Sequence, residues 1–273
     1  MKILVTGANG YLGRGIVKAL LDYGVDVIAN DFDLSKVDDR ANKMCCDFSD
    51  VSNPYEYFYR PDVLLHLAWK DGFVHYSNAH IDELPKHYRF IKKMFESEIS
   101  KIAVMGSMHE IGFHEGSIDE TTPCHPESYY GIAKNALRNV VEVLAKKNHK
   151  DFQWLRAFYI VGNSLSGSSI FSKIAIAAEK GEKTFPFTMG RNQFDFLDYD
   201  VFCQMVARTI MQNEILGIIN ICSGQPEKLA HRVERFIADN NYDIKLEYGA
   251  FPDREYDSKA VWGNSRKIEI IMK

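Results

Sequence analysis

The chain has 273 residues, with 33 Lys plus Arg against 37 Asp plus Glu and a formal net charge of −4. That balance lacks the basic excess of a nucleic-acid surface, and no apolar run approaches the roughly eighteen residues that span a bilayer. The five cysteines, Cys45, Cys46, Cys124, Cys203 and Cys222, form neither a disulfide framework nor a C-x-x-C pair, and the histidines are scattered. Reduced thiols in the cytoplasm and no metal site are the expectation.

The opening "MKILVTGANG" enters a strand at once and reads as no secretory leader. "KILVTG" predicts a buried strand, and "YLGRGIVKALLDYG" a helix closed by Gly24. "VDVIAND" is a second strand, "NKMCCDFSD" holds a short third, and "PDVLLHLAW" is a fourth. "IKKMFESEI" ends a helix, "KIAVMGS" is a fifth strand, and residues 128–148 form a helix after a loop holding Pro123 and Pro126. "FQWLRAFYIVG" is a sixth strand. Strands alternating with helices indicate crossover units and a doubly wound parallel sheet.

Beyond Gly162 the pattern loosens into shorter pieces, with "GIINICSG" as one more buried strand. The expectation is an α/β, Rossmann-type domain over residues 1–162 plus about 196–222. A smaller, discontinuous C-terminal substrate lobe takes about 163–195 plus 223–273.

"TGANGYLG" sets Gly7, Gly10 and Gly13 where the first strand turns into the first helix. Glycines there permit a tight turn and the close approach of a pyrophosphate, which meets the unpaired N–H groups of the helix start. Asp31, eighteen residues past Gly13 at the end of the second strand, is placed to bond the adenosine ribose and to repel a 2′-phosphate. NAD is the expected cofactor. NADP stays open, because Asp33 can share the role of Asp31 while Lys36 and Arg40 can attract a phosphate. Further on, Tyr130 and Lys134 stand four residues apart on the helix at 128–148, hence on one face. Alone, such a pair is either a solvated helix edge or a proton donor beside the charge that tunes it.

Taken together these segments resemble the extended short-chain dehydrogenase/reductase family, the group of nucleotide-sugar epimerases, dehydratases and ketoreductases. "TGANGYLG" is similar to its TGxxGxxG, "CDFSD" to its acidic segment, and "LLHLAW" to the strand under the cofactor. "GSMHEIG" resembles the strand end with the catalytic Ser or Thr, "YYGIAK" the YxxxK pair, and "LRAFYIVG" the RxxNxYG strand. The resemblance implies a cofactor site of Gly7, Asn9, Gly10, Tyr11, Leu12, Gly13, Asp31, Asp47, Phe48, Leu67, Ala68, Tyr130 and Lys134. It implies Ser107, Tyr130 and Lys134 as catalytic residues, with Lys134 lowering the pKa of the Tyr130 phenol. Ser107, Met108, His109, Tyr159, Arg191 and Arg254 are the implied substrate contacts, and His66 reads as a packed strand residue.

The implied activity is NAD(P)H-dependent reduction of a 4-keto-6-deoxyhexose nucleotide in surface-polysaccharide biosynthesis, by a homodimer. Met108 and His109 stand where dehydratases carry an Asp-Glu pair, which disfavours water elimination. An NAD-dependent nucleotide-sugar epimerase and a non-catalytic dinucleotide-binding redox sensor remain as alternatives. Tyr159 replaces the Asn of RxxNxYG, Ile111 replaces the usual tyrosine, and "HIDELPKHYRF" replaces an Asn-x-x-Gly-Thr segment.

Overall fold

The computed structural model describes residues 1–162, 169–252 and 258–273. The chain opens with β1 (Lys2–Thr6), α1 (Tyr11–Asp22), β2 (Asp26–Asp31), β3 (Asn42–Cys45), α2 (Pro54–Tyr57) and β4 (Val63–His66). Next come α3 (Ala79–Asp82), α4 (Leu84–Phe95), β5 (Lys101–Ser107), β6 (Gly116–Ile118), α5 (Tyr129–Asn148), β7 (Asp151–Ala157) and β8 (Tyr159–Val161). The remainder comprises α6 (Ile170–Glu179), β9 (Thr184–Pro186), β10 (Gln193–Asp198), α7 (Tyr199–Met211), β11 (Gly217–Ile221) and β12 (Pro226–Lys228). It closes with α8 (Leu229–Asp239), β13 (Lys245–Glu247), β14 (Ala260–Gly263) and α9 (Arg266–Met272).

Seven strands form one parallel sheet in the order β11-β7-β5-β4-β1-β2-β3. Helices cover both faces, so the central strands carry continuous apolar runs rather than an alternating pattern, and β5 is buried along its whole length. On one face Ile16, Val17 and Leu20 of α1 meet Phe202, Val206 and Ile210 of α7; on the other Phe90 and Met94 of α4 meet Leu137 and Val141 of α5. The order reverses at β1, which has β2 on one side and β4 on the other. A doubly wound sheet opens its ligand crevice at such a switch point, at the carboxyl ends of the strands. Gly7 and Leu67 lie there, one residue past β1 and β4.

A second sheet runs β12-β10-β14-β6, with β8 also paired to β10, and β9 pairs β13. Its core is aromatic, with Phe171, Phe187, Phe196 and Phe236 packed around Val161 and Val233. Two expectations change here. The sixth strand read from "FQWLRAFYIVG" is two strands: β7 ends at Ala157, and β8 joins the second sheet with Tyr159 opposite Phe196. Residues 223–273 do not stay in one lobe either. Helix α9 returns to the main sheet, where Ile268 shares a core with Ile219 and Ile221 of β11.

Candidate active site

The glycine turn is built by close approach. Gly7 has φ +73, and a Cβ there would lie 2.6 Å from the backbone nitrogen of Ala68, so the turn after β1 lies directly against the chain leaving β4. The Gly10 N–H closes the turn on the Gly7 carbonyl at 3.1 Å. Gly10 then serves as the N-cap of α1, without a side-chain cap and without an acid in the first turn. These first-turn amides and the positive end of the helix dipole fit an anionic pyrophosphate. Asp31 sits at the rim of the turn, its carboxylate accepting from the backbone N–H of Asn9 at 2.9 Å and of Phe32 at 2.8 Å. The Asn9 side chain donates to Asp33 at 3.2 Å and accepts from the Lys36 N–H at 3.2 Å. Arg40 is turned to carboxylates, pairing with Asp38 at 2.7 Å and Asp22 at 2.8 Å.

Across the switch point, β5 ends on Ser107, which is buried and caps a short turn at Met108–Glu110. Ser128 starts α5 by accepting the Gly131 N–H at 3.1 Å, which makes Tyr130 the second helical residue. A Cβ on Gly131 would lie 2.3 Å from the His109 carbonyl oxygen, so glycine alone lets α5 come this near the Ser107 turn. That approach brings the Tyr130 phenol close enough to Ser107 for the serine hydroxyl to bear on its acidity. One turn on, the Lys134 Nζ is 5.8 Å from the Tyr130 ring centre and donates to the Met105 carbonyl of β5 at 2.8 Å. The structure therefore brings Ser107, Tyr130 and Lys134 together, beside the glycine turn.

A sequence model described as the NAD dependent epimerase/dehydratase family matches residues 3–222. Over 269 residues the chain is 40% identical to dTDP-6-deoxy-L-talose 4-dehydrogenase (NAD(+)) of Aggregatibacter actinomycetemcomitans, covering 96% of this chain and 99% of that one. The chain belongs to the NAD dependent epimerase/dehydratase family. A more distant member, dTDP-glucose 4,6-dehydratase of Haemophilus influenzae, is 25% identical over about half of each chain (52% and 51%). Among solved structures, UDP-glucose 4-epimerase of Thermotoga maritima with UDP-glucose superposes with a TM-score of 0.82 at 19% identity, covering 98% of this chain and 93% of that one. The Thermus thermophilus UDP-glucose 4-epimerase complex with NAD gives 0.81 at 21% identity, covering 99% and 92%. At these identities the two structures speak for the fold.

The electrostatics of this family member depart from one expectation. Burial pushes the Tyr130 phenol up to about 12; the Ser107 hydrogen bond pulls it down and the Glu110 carboxylate adds to the rise. Lys134 does not offset this, because burial lowers its own value to about 7, only partly opposed by Glu110. Desolvation outweighs the lysine–tyrosine coupling read from the sequence, since it is the largest cause of both shifts.

The other site residues divide. Leu67 and Ala68 back onto the glycine turn, and Leu12 packs on the main core. Tyr11 places its ring against Tyr199 at 4.6 Å and accepts the Tyr199 hydroxyl at its carbonyl, 2.5 Å away. Asp47 caps a short turn through the Ser49 N–H at 2.8 Å, and Phe48 is buried against His66, His87 and Phe90 rather than facing the crevice. Met108, read as a substrate contact, is buried in the main core. Tyr159 packs against Phe194 in the second sheet, ring centres 4.6 Å apart and tilted by 38°. His109 stands near Tyr130, ring centres 6.1 Å apart, with burial holding its imidazole down at about 4. Arg191 is exposed. Arg254 lies outside the described residues.

Five histidines that looked scattered converge on this site. His75 lies flat on Tyr130 (ring centres 5.2 Å, 9° between planes), its carbonyl accepts the Tyr130 N–H at 3.0 Å, and its ring is 4.4 Å from His109. His80 and His87 flank Trp69, and His87 bonds His66 at 2.8 Å. "HLAWKDGFVHYSNAHIDELPKH" carries all but His109 of this set, and its density in aromatic and imidazole rings was the available signal. Among the described residues no group of three or more His, Cys, Asp or Glu is arranged to hold a metal ion.

Proposed function

We propose that this chain is an NAD-dependent nucleotide-sugar 4-ketoreductase, interconverting a dTDP-linked 4-keto-6-deoxyhexose and the 6-deoxyhexose. The observation that supports it most is the 40% identity across nearly the whole of both chains to a 4-dehydrogenase of a dTDP-6-deoxyhexose. The uncapped α1 start and the Asp31 rim give a dinucleotide its cradle. Such a cofactor supplies the hydride in reduction and takes it up in oxidation. Ser107 donates a hydrogen bond to the C4 oxygen and fixes the carbonyl. Tyr130 gives that oxygen its proton, completing the two-electron reduction, and Lys134 in its ammonium form supports the phenolate left behind. In oxidation the same proton returns to Tyr130.

Three coarser features follow as part of this reading. The main sheet with α7 and β11 is the dinucleotide-binding body, and the aromatic second sheet is the substrate lobe, to which Tyr159 and Arg191 contribute contacts. A homodimer forms through the outer faces of α4 and α5, where Tyr88, Ile132 and Val143 are exposed apolar residues on helices packed side by side. The protein works in the cytoplasm, in surface-polysaccharide biosynthesis. All five cysteines are free thiols, and no helix among the described residues is long and apolar enough to cross a membrane.

The test is NADH consumption with a dTDP-4-keto-6-deoxyhexose. Stoichiometric NADH oxidation with formation of the 6-deoxyhexose supports the reading. Release of an epimer without net NADH loss would replace it by the epimerase alternative, and cofactor binding without turnover by the redox sensor.

A further inference from the structure

Lys134 carries a charge in a place that provides little for it. Its side chain is 4% exposed. The carboxylate that bears on it, Glu110, is engaged on one oxygen by Arg156 at 2.6 Å and on the other by Trp154 at 2.8 Å. The Met105 carbonyl takes one of its three N–H groups. A buried ammonium so placed would ordinarily give up its proton.

What stands against it is an aromatic face. The Nζ lies 3.8 Å from the centre of the Trp69 ring, well inside the range at which the ring quadrupole attracts a cation. The indole is fixed on two sides. Its Nε1 donates to His80 Nδ1 at 3.0 Å, and His80 in turn donates from Nε2 to the Val74 carbonyl at 2.9 Å. Its ring is stacked with His87, centres 4.6 Å apart and 17° between planes. His87 is hydrogen-bonded to His66 at 2.8 Å, and His66 to the Thr6 hydroxyl at 2.7 Å, at the end of β1 that leads into the glycine turn.

We propose that Trp69 is a positioning residue of the reductase site, its ring face holding the Lys134 ammonium in place beside Tyr130. The catalytic consequence rests on the reductase reading; the contact does not. The groups facing the lysine are Tyr130 on its own helix, the Met105 carbonyl of β5, Glu110 after β5, His66 of β4 and His87 of α4. Burial keeps both imidazoles neutral by pushing their pKa values down, so neither sets a second positive charge against the ammonium. Of the side chains around it, Glu110, the indole and, at the longer 5.8 Å, the Tyr130 ring favour the cation; Glu110 is shared, and the indole lies nearer than the phenol.

The contact is tested first in the cofactor-free protein, by following Trp emission against pH as the difference between wild type and Trp69→Phe. Deprotonation of an ammonium lying on the indole changes that emission. A transition around neutral pH that vanishes in Lys134→Met is the expected result, and the same transition surviving in Lys134→Met overturns the proposal. The consequence is tested on turnover. Trp69→Leu removes the quadrupole while keeping an apolar side chain, and lowers the pKa of Lys134, so the alkaline limb of kcat/KM moves down by about one pH unit. Trp69→Phe keeps a ring face, loses the bond to His80, and leaves the limb in place. An unmoved limb in Trp69→Leu overturns the role; should that variant not fold, Trp69→Met gives the same comparison. If no nucleotide sugar is turned over, the reductase reading and the catalytic role fall together, while the emission experiment still decides the contact.

Discussion

Glu110 and Arg156 form an ion pair at 2.6 Å with both side chains out of water. The glutamate stands in the turn after β5, the arginine on β7, and Arg156 also donates to the Asp119 carbonyl beyond β6 at 2.9 Å. The pair thus joins the strand end that presents Ser107 to the first strand of the second sheet. Nothing in "GSMHEIG" or "LRAFYIVG" announced it, because the two motifs are forty-six positions apart in the chain.

Breaking this pair from one side leaves an uncompensated buried charge. Glu110→Gln is expected to lose about 3–5 kcal/mol of stability, whereas Glu110→Leu combined with Arg156→Met loses less than the two single changes together. Urea denaturation of Glu110→Leu, Arg156→Met and their double variant measures the coupling, and strictly additive losses would show that the pair acts as two independent residues.

Tyr130→Phe keeps the ring packed on His75 and removes the hydroxyl that carries the acidic proton. Turnover is expected to fall about a hundredfold or more, the scale of a lost general acid. Cofactor affinity, measured by titration calorimetry, should stay near that of wild type. Turnover at the wild-type rate would remove Tyr130 from the mechanism.

Asp31→Ala should narrow the preference for NADH over NADPH by about tenfold, the scale of a charge-assisted hydrogen bond. Arg40 is held by Asp22 and Asp38, so it is not free to have offset the aspartate in the first place. Paired kcat/KM values for the two cofactors give the answer. An unchanged ratio would place the discrimination in other residues.

Lys134→Met should trade activity for stability. Burial lowers the lysine to about 7 from its ordinary 10.5. Between those values the unfolded chain binds a proton that the native state lacks, so its contribution to stability rises with pH across the window and is most unfavourable below it. Replacing the amine removes both the penalty and the slope. Urea melts from pH 6 to 10 should show the variant more stable by a few kcal/mol at the acid end and flatter in its pH response. Lys101, lowered by burial to about 8, adds a slope of the same sign that both proteins retain. Equal slopes would mean that Lys134 meets no such penalty.

The sequence by itself determined the parts whose cause is local. Glycine spacing after an apolar strand fixed the turn and α1, and Ser128 ahead of an amphipathic run fixed the start of α5 and so the spacing of Tyr130 from Lys134. Only the tertiary structure decided what surrounds them. The break of the sixth strand at Phe158 follows from β8 finding β10 as its partner, and a strand's partner is not written in the strand. The gathering of His66, His75, His80, His87 and His109 around Trp69 and Tyr130 comes from β4, α3, α4 and the turns beside them meeting in space. The high pKa of Tyr130 and the low one of Lys134 come from the same enclosure, because desolvation depends on everything that excludes water from a group, and that is known only when the whole chain is in place.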